Sequence, residues 1–100
     1  MKQLEAQVLE WSAQRGILEY SSKQAQCLKA VSEVGELSDA VLKADHDAIV
    51  DGIGDSIVCL INLAAMQGVD LHECVSRAYD EIKDRKGRLN VHGAWVKEDV

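Results

Sequence analysis

Proline is absent from all 100 residues of this chain. No position lacks a backbone N–H donor or carries a ring that would break a helix from within, so long uninterrupted helices are open to it. Ala, Leu, Glu, Gln and Lys, all good helix formers, are abundant. Apolar residues make up 47% and charged residues 28% of the sequence, a balance typical of a globular rather than a disordered chain. At this length a single all-α domain over residues 1–100 is expected, and burial in so small a unit is limited enough that a second copy would help.

Hydrophobic periodicity divides the chain. In Lys2–Gln14 the residues Leu4, Val8 and Trp11 recur at i, i+4 and i+7, and Gly16 can end that helix. Ser21 or Ser22 offers the next cap, with Gln24 three residues after Ser21, and a periodic stretch follows to about residue 44. Asp47 is the expected cap of a third helix running to about residue 67, before Gly68. Asp70 and Glu73 form a capping pair for a fourth, ending near residue 86 before Gly87. Residues 88–100 form a C-terminal tail of mixed polarity containing Gly93. Four helices on short turns predict an antiparallel four-helix bundle-like protomer. No repeat, low-complexity tract or linker divides it.

Charge and cysteine content narrow the function classes. Eleven basic residues against 17 acidic ones leave a net charge of −6. Binding to nucleic-acid polymers is disfavoured, because that affinity rests on Lys and Arg neutralising phosphates. A small anionic substrate accompanied by a divalent cation remains compatible. Cys27, Cys59 and Cys74 have no close ligand spacing and each sits among apolar residues, which predicts reduced, packed thiols in a cytoplasmic protein. No basic segment followed by an apolar run opens the chain. The charge-free run over residues 56–69 has 14 residues, too few to span a bilayer, so no membrane association is expected.

Polar residues that interrupt the apolar pattern mark a candidate site. On the second long segment Glu33 falls at the edge of the arc formed by Cys27, Ala30, Val31, Val34, Leu37 and Val41, with Glu36 about 60° farther round. Carboxylates three residues apart on a helix can reach a common hard cation, although a solvated face is the commoner origin of such a pair. The third segment is apolar around almost its full circumference and should be central. Its exceptions, Asp51, Asp55 and Asn62, share a stripe about 40° wide. Beside Glu33 and Glu36 this stripe could form an acidic metal-binding cleft. Alternatively, Asp51 lies in an exposed first turn while Asp55 and Asn62 hydrogen-bond neighbouring helices.

On the fourth segment Arg85 falls inside the arc of Leu71, Cys74, Val75, Ala78, Tyr79 and Ile82, which predicts an inward guanidinium able to meet phosphate. Lys83, Lys86 and Arg88 complete a basic cluster at that helix end. Trp11 is expected to pack the first helix, with flanking of a base-binding pocket as the second reading, and Trp95 to cover an apolar edge or a partner subunit. His46, His72 and His92 are too scattered for a zinc set. Gly35, Gly52 and Gly54 lie within helices and predict close helix contact or room for a ligand.

The runs Glu33-Val34-Gly35-Glu36-Leu37, Asp51-Gly52-Ile53-Gly54-Asp55 and Glu81-Ile82-Lys83-Asp84-Arg85-Lys86-Gly87-Arg88, in that order, resemble the MazG-like all-alpha nucleoside triphosphate pyrophosphohydrolases. The likeness is greatest to the short single-domain phage and bacterial members, and it covers about residues 20–98, including Gly93-Ala94-Trp95-Val96-Lys97-Glu98. The resemblance implies Mg²⁺, with Mn²⁺ as a substitute, held by a Glu-x-x-Glu pair and a Glu-x-x-Asp pair. It further implies hydrolysis of nucleoside triphosphates to the monophosphate and pyrophosphate. Glu33, Glu36 and Asp55 match the ligand positions, while Gly52 stands where the family has a glutamate, leaving Asp51 as the replacement ligand or water-orienting base. Lys83, Arg85 and Lys86 stand where the family has phosphate-facing basic residues, and Asn62 is assigned to the sugar or to holding a carboxylate. A nucleotide sensor with weak turnover and a helical interaction module are the alternatives. A homodimer, or a dimer of dimers, is expected because the third helix is too apolar for three small helices to cover.

Overall fold

Three of the helix starts in the computed structural model, which describes residues 1–98, are set by one side chain each. The elements are α1 (Lys2–Gln14), α2 (Ile17–Tyr20), α3 (Lys23–Leu42), α4 (His46–Met66), α5 (Leu71–Ile82), β1 (Gly87–Leu89) and β2 (Trp95–Lys97). Ser22 Oγ accepts the Ala25 N–H at 3.0 Å, Asp45 Oδ1 that of Ala48 at 3.2 Å and Asp70 Oδ1 that of Glu73 at 2.8 Å. Each satisfies a donor that the first helical turn leaves unpaired.

The all-α expectation holds, with five helices where four were expected. The addition is the single turn α2, which follows Gly16 at φ 74°, a left-handed conformation that favours glycine. The cap of α4 is Asp45 rather than Asp47. Helix α3 ends at Leu42 and Ala44 takes φ 52°, so Asp45 is already extended and Asp47 falls in the first turn. Helix α5 stops at Ile82, short of residue 86, because residues 83 to 86 are all charged and bring no apolar side chain to a neighbour. Arg85 therefore lies beyond the helix in a turn, its N–H on the Ile82 carbonyl at 2.9 Å, and is exposed rather than turned inward.

Helices α3 and α4 form an antiparallel hairpin: Gly52 faces Leu37 near its turn, and Asn62 faces Gln26 farther out. Helix α4 also meets α1, α2 and α5, which makes it the central helix. By length and composition α4 could cross a membrane; here it packs against four helices and leaves Val50 and Ile53 about half exposed. The buried apolar residues are Ala30, Ala40, Cys59, Ile61 and Ala64. They are mostly small, which lets the two helices approach closely. A Cβ on Gly52 would stand 3.1 Å from Leu37 Cβ and 3.2 Å from Leu37 Cα. Gly35 and Gly54 meet nothing within 4 Å, so of the three helical glycines only Gly52 serves close contact within the protomer.

The periphery is looser. Glu5 of α1 is buried and accepts the Leu71 N–H at 2.9 Å, tying α1 to the start of α5. An apolar groove of about 510 Å³ separates α4 from α5, lined by Leu60, Leu63, Leu71, Val75 and Ala78. No residue of α5 is buried. All three cysteines are free thiols, but only Cys59 is packed; Cys27 and Cys74 are exposed. Gly87, expected to stop the fourth helix, and residues 88 to 97 of the expected tail form an antiparallel hairpin pairing Gly87 with Lys97 and Leu89 with Trp95. Asn90 Oδ1 accepts the N–H groups of His92 and Ala94, and Gly93 at φ 81° completes the turn. The Trp95 ring lies against Gly87, where a Cβ would come within 2.6 Å of it. Residues 99–100 of that tail lie outside the described residues.

Candidate functional site

The antiparallel register of α3 and α4 places Glu33 near Asp55 and Gln26 near Asn62, and a cavity of about 460 Å³ opens over these four residues. Trp11 and Ile17, from α1 and α2, form one wall, while Lys29, Val58 and Cys59 complete the lining. The size is that of a small-molecule site. Of the residues picked from sequence, Glu33, Asp55 and Asn62 are brought together here. Glu36, one turn beyond Glu33, and Asp51, one turn before Asp55, are exposed and do not line it. Lys83, Arg85 and Lys86 are exposed past the end of α5 and do not line it either.

Glu33 is the buried carboxylate of the set, its side chain 12% exposed and paired with the Lys29 ammonium at 3.3 Å. Asp55 is exposed and lines both this cavity and a neighbouring one of about 410 Å³ that includes Leu4, Val8 and Trp11. Burial pushes the Cys59 thiol above its ordinary pKa; the Glu33 and Asp55 carboxylates add to the rise and Lys29 opposes it. The thiol is thus neutral at physiological pH and gives the floor of the cavity a non-ionised surface.

Two polar lining residues, Lys29 and Gln26, were not singled out from sequence. Lys29 is detectable in principle, since it precedes Glu33 by four residues and i,i+4 pairs share a helix face. Gln26 becomes visible only through its contact with Asn62, 36 residues away. Trp11 takes the position of the second reading, at the cavity wall, with the Arg15 guanidinium 4.3 Å from its ring centre.

Among the described residues no three His, Cys, Asp or Glu side chains converge as a metal cluster. The donor set fits Mg²⁺ in another way. That ion is commonly held through one or two carboxylates together with substrate phosphates, and Glu33 and Asp55 supply two hard oxygen donors at one cavity.

A family model described as the MazG nucleotide pyrophosphohydrolase domain matches residues 21–89, which include α3, α4, α5 and β1. An uncharacterized 18.2 kDa protein in the rep-hol intergenic region of Haemophilus phage HP1 (strain HP1c1) is 36% identical over 70 residues, covering 70% of this chain and 43% of that protein. The chain thus spans less than half the length of that relative. No solved structure matches it.

Proposed function

The chain belongs to the MazG nucleotide pyrophosphohydrolase domain family, and from that premise we propose that it hydrolyses nucleoside or deoxynucleoside triphosphates to the monophosphate and pyrophosphate. The observation that carries this reading is the cavity shared by Glu33, Asp55, Lys29 and Asn62 on the helices that the family model matches. Mg²⁺, or Mn²⁺ in its place, would be held by Glu33 and Asp55, with Glu36 and Asp51 one turn outward, and would offset phosphate repulsion and stabilise charge on the phosphoryl oxygens.

The remaining work falls to the chain's own side chains. Lys29 attracts phosphate at the cavity, and Lys83, Arg85 and Lys86 supply further cations if the strand-bearing end of α5 approaches the site of the same or a second copy. Water attacks the α-phosphorus; its oxygen bonds to phosphorus as the bond to the bridging oxygen breaks, its proton passes to the exposed carboxylate of Asp55 at the cavity, and pyrophosphate leaves. Asn62 contacts the nucleoside. Incubation with a panel of triphosphates and Mg²⁺ tests the proposal: monophosphate and pyrophosphate are expected, and release of inorganic phosphate alone would overturn it.

A second reading, a nucleotide-binding or sensing protein with weak turnover, is favoured by Gly52, which contributes no carboxylate at the position where the resemblance calls for one. Binding without product formation selects it. The proposal includes a cytoplasmic setting and self-association as a homodimer or dimer of dimers, supported by Leu28, Val31, Val34 and Ile53, each at least half exposed. Sedimentation equilibrium showing only an 11.0 kDa species would remove the oligomer.

A further inference from the structure

Asn62 is 2% exposed, and its Oδ1 has no hydrogen-bond donor among the described residues. A buried carbonyl oxygen left unpaired is costly and calls for a partner. Ser12 Oγ is the other such atom, but Ser12 does not line the cavity, whereas Asn62 does. The Asn62 amide is held in place: its Nδ2 donates to Gln26 Oε1 at 3.3 Å, and Gln26 Nε2 in turn donates to Ser21 Oγ at 3.1 Å. This relay uses one of the two N–H groups of the Asn62 amide and leaves Oδ1 without a donor.

The position along the helix says which part of a ligand would meet that oxygen. Seven residues separate Asp55 from Asn62, about 10.5 Å along the axis at 1.5 Å per residue. The carboxylates stand at one end of the cavity and the amides at the other, a separation comparable to a nucleoside from its 5′ oxygen to the pairing edge of its base. The Trp11 ring lines the wall beside them, an aromatic surface against which a base can stack.

We infer that Asn62 Oδ1 is the base-reading acceptor of this site, taking one N–H from the pairing edge of the nucleobase, with Gln26 as the positioning residue that fixes its orientation. This rests on the nucleotide reading proposed above and deepens it from phosphate to base.

The test is equilibrium binding with Mg²⁺ of each common nucleoside triphosphate against its counterpart whose edge N–H is removed or methylated, with turnover of the same pairs measured separately. For the base that binds best, the wild-type chain is expected to prefer the N–H-bearing member by roughly tenfold or more. Asn62→Ala should bring the two members to equal affinity, Asn62→Asp, which keeps an acceptor, should retain the order, and Gln26→Ala should shrink the ratio. The readout is a ratio between ligands differing in one N–H, so a purely structural role for Asn62 would not move it. Equal wild-type affinities, or a preference that survives Asn62→Ala, would overturn the inference. Turnover without base discrimination refutes this inference and leaves the enzyme reading standing. Discrimination without turnover does the reverse, and absence of all nucleotide binding overturns both.

Discussion

On α4, Gly52, Ser56, Cys59, Ile61, Asn62 and Ala64 are buried against neighbouring helices; on α5, whose apolar residues also fall on one face, no residue is. Val75, Tyr79 and Ile82 of α5 remain 63%, 60% and 52% exposed. The contrast follows from side-chain size. Small residues on α3 and α4 let the two backbones approach, and the larger polar residues between them are then enclosed. Helix α5 presents medium and large apolar side chains to a single neighbour, anchored at its start by Glu5 and Asp70 and ending in four charged residues. A polar cavity can be built only on the tight pair, while the amphipathic outer helix is the element with surface left to share.

The largest expected effect tests whether function resides in the tight pair. Glu33→Gln should lower kcat/KM for triphosphate hydrolysis by at least about a hundredfold, since a lost carboxylate ligand exceeds the effect of losing an outer support. Arg85→Ala, past the end of α5, should cost only about tenfold, as expected for an exposed phosphate contact. Equal losses would erase the functional distinction between the two regions. Calorimetric titration of Mg²⁺ with a nonhydrolysable triphosphate into Glu36→Gln complements this: weakened binding is expected, and unchanged binding removes Glu36 from the coordination set.

A stability measurement probes the close approach itself. Gly52→Glu should not restore a metal ligand, because its Cβ would crowd the α3 backbone at Leu37. Overpacking of this kind costs about 1–3 kcal/mol and lowers the melting temperature accordingly. An unchanged melting curve would show that the hairpin is slack. Gly54→Ala is the matched control, facing open space within the protomer, and should raise stability by about 0.5–1 kcal/mol through helix propensity. Destabilisation there would mean that a second copy covers that face.

The smallest effect concerns the thiols. Cys59 should react with alkylating reagents more slowly than Cys27, since Cys59 is buried and its pKa is raised. The sign for stability follows: a folded-state pKa above the unfolded value favours the protonated native state, so this contribution is full below the ordinary thiol value of 9.0 and fades as pH rises past it. Unfolding titrations on either side of that pH should lose this slope in Cys59→Ala.

Much of the fold was legible because helix signals are local. The Asp70 cap, the long apolar stretch of α4 and the breaks at Gly16 and Gly68 each depend on residues within a turn of one another. The errors lay at boundaries decided by competition: Asp45 over Asp47, and the stop at Ile82, where periodicity would have carried Arg85 inward. The candidate site was legible in part. Glu33, Asp55 and Asn62 stood out as polar breaks in apolar arcs, yet the angular stripe that joined Asp51 to Asp55 did not bring Asp51 to the cavity. Angle around one helix says nothing of where along its length a second helix and a cavity will stand.

The absence of proline, the spacing of apolar residues and the capping side chains were enough to determine an all-α chain with α4 at its centre, since these act over a few residues and through the periodicity of a single helix. The partners of each residue across the hairpin were decided only in three dimensions. The bare backbone of Gly52, where a Cβ would stand 3.1 Å from Leu37 Cβ, sets the hairpin's close packing, and at the far end of that pairing Gln26 meets Asn62 across 36 residues of sequence. That contact depends on backbone separation and register, which no single segment encodes, and it leaves the buried Asn62 Oδ1 without a donor among the described residues.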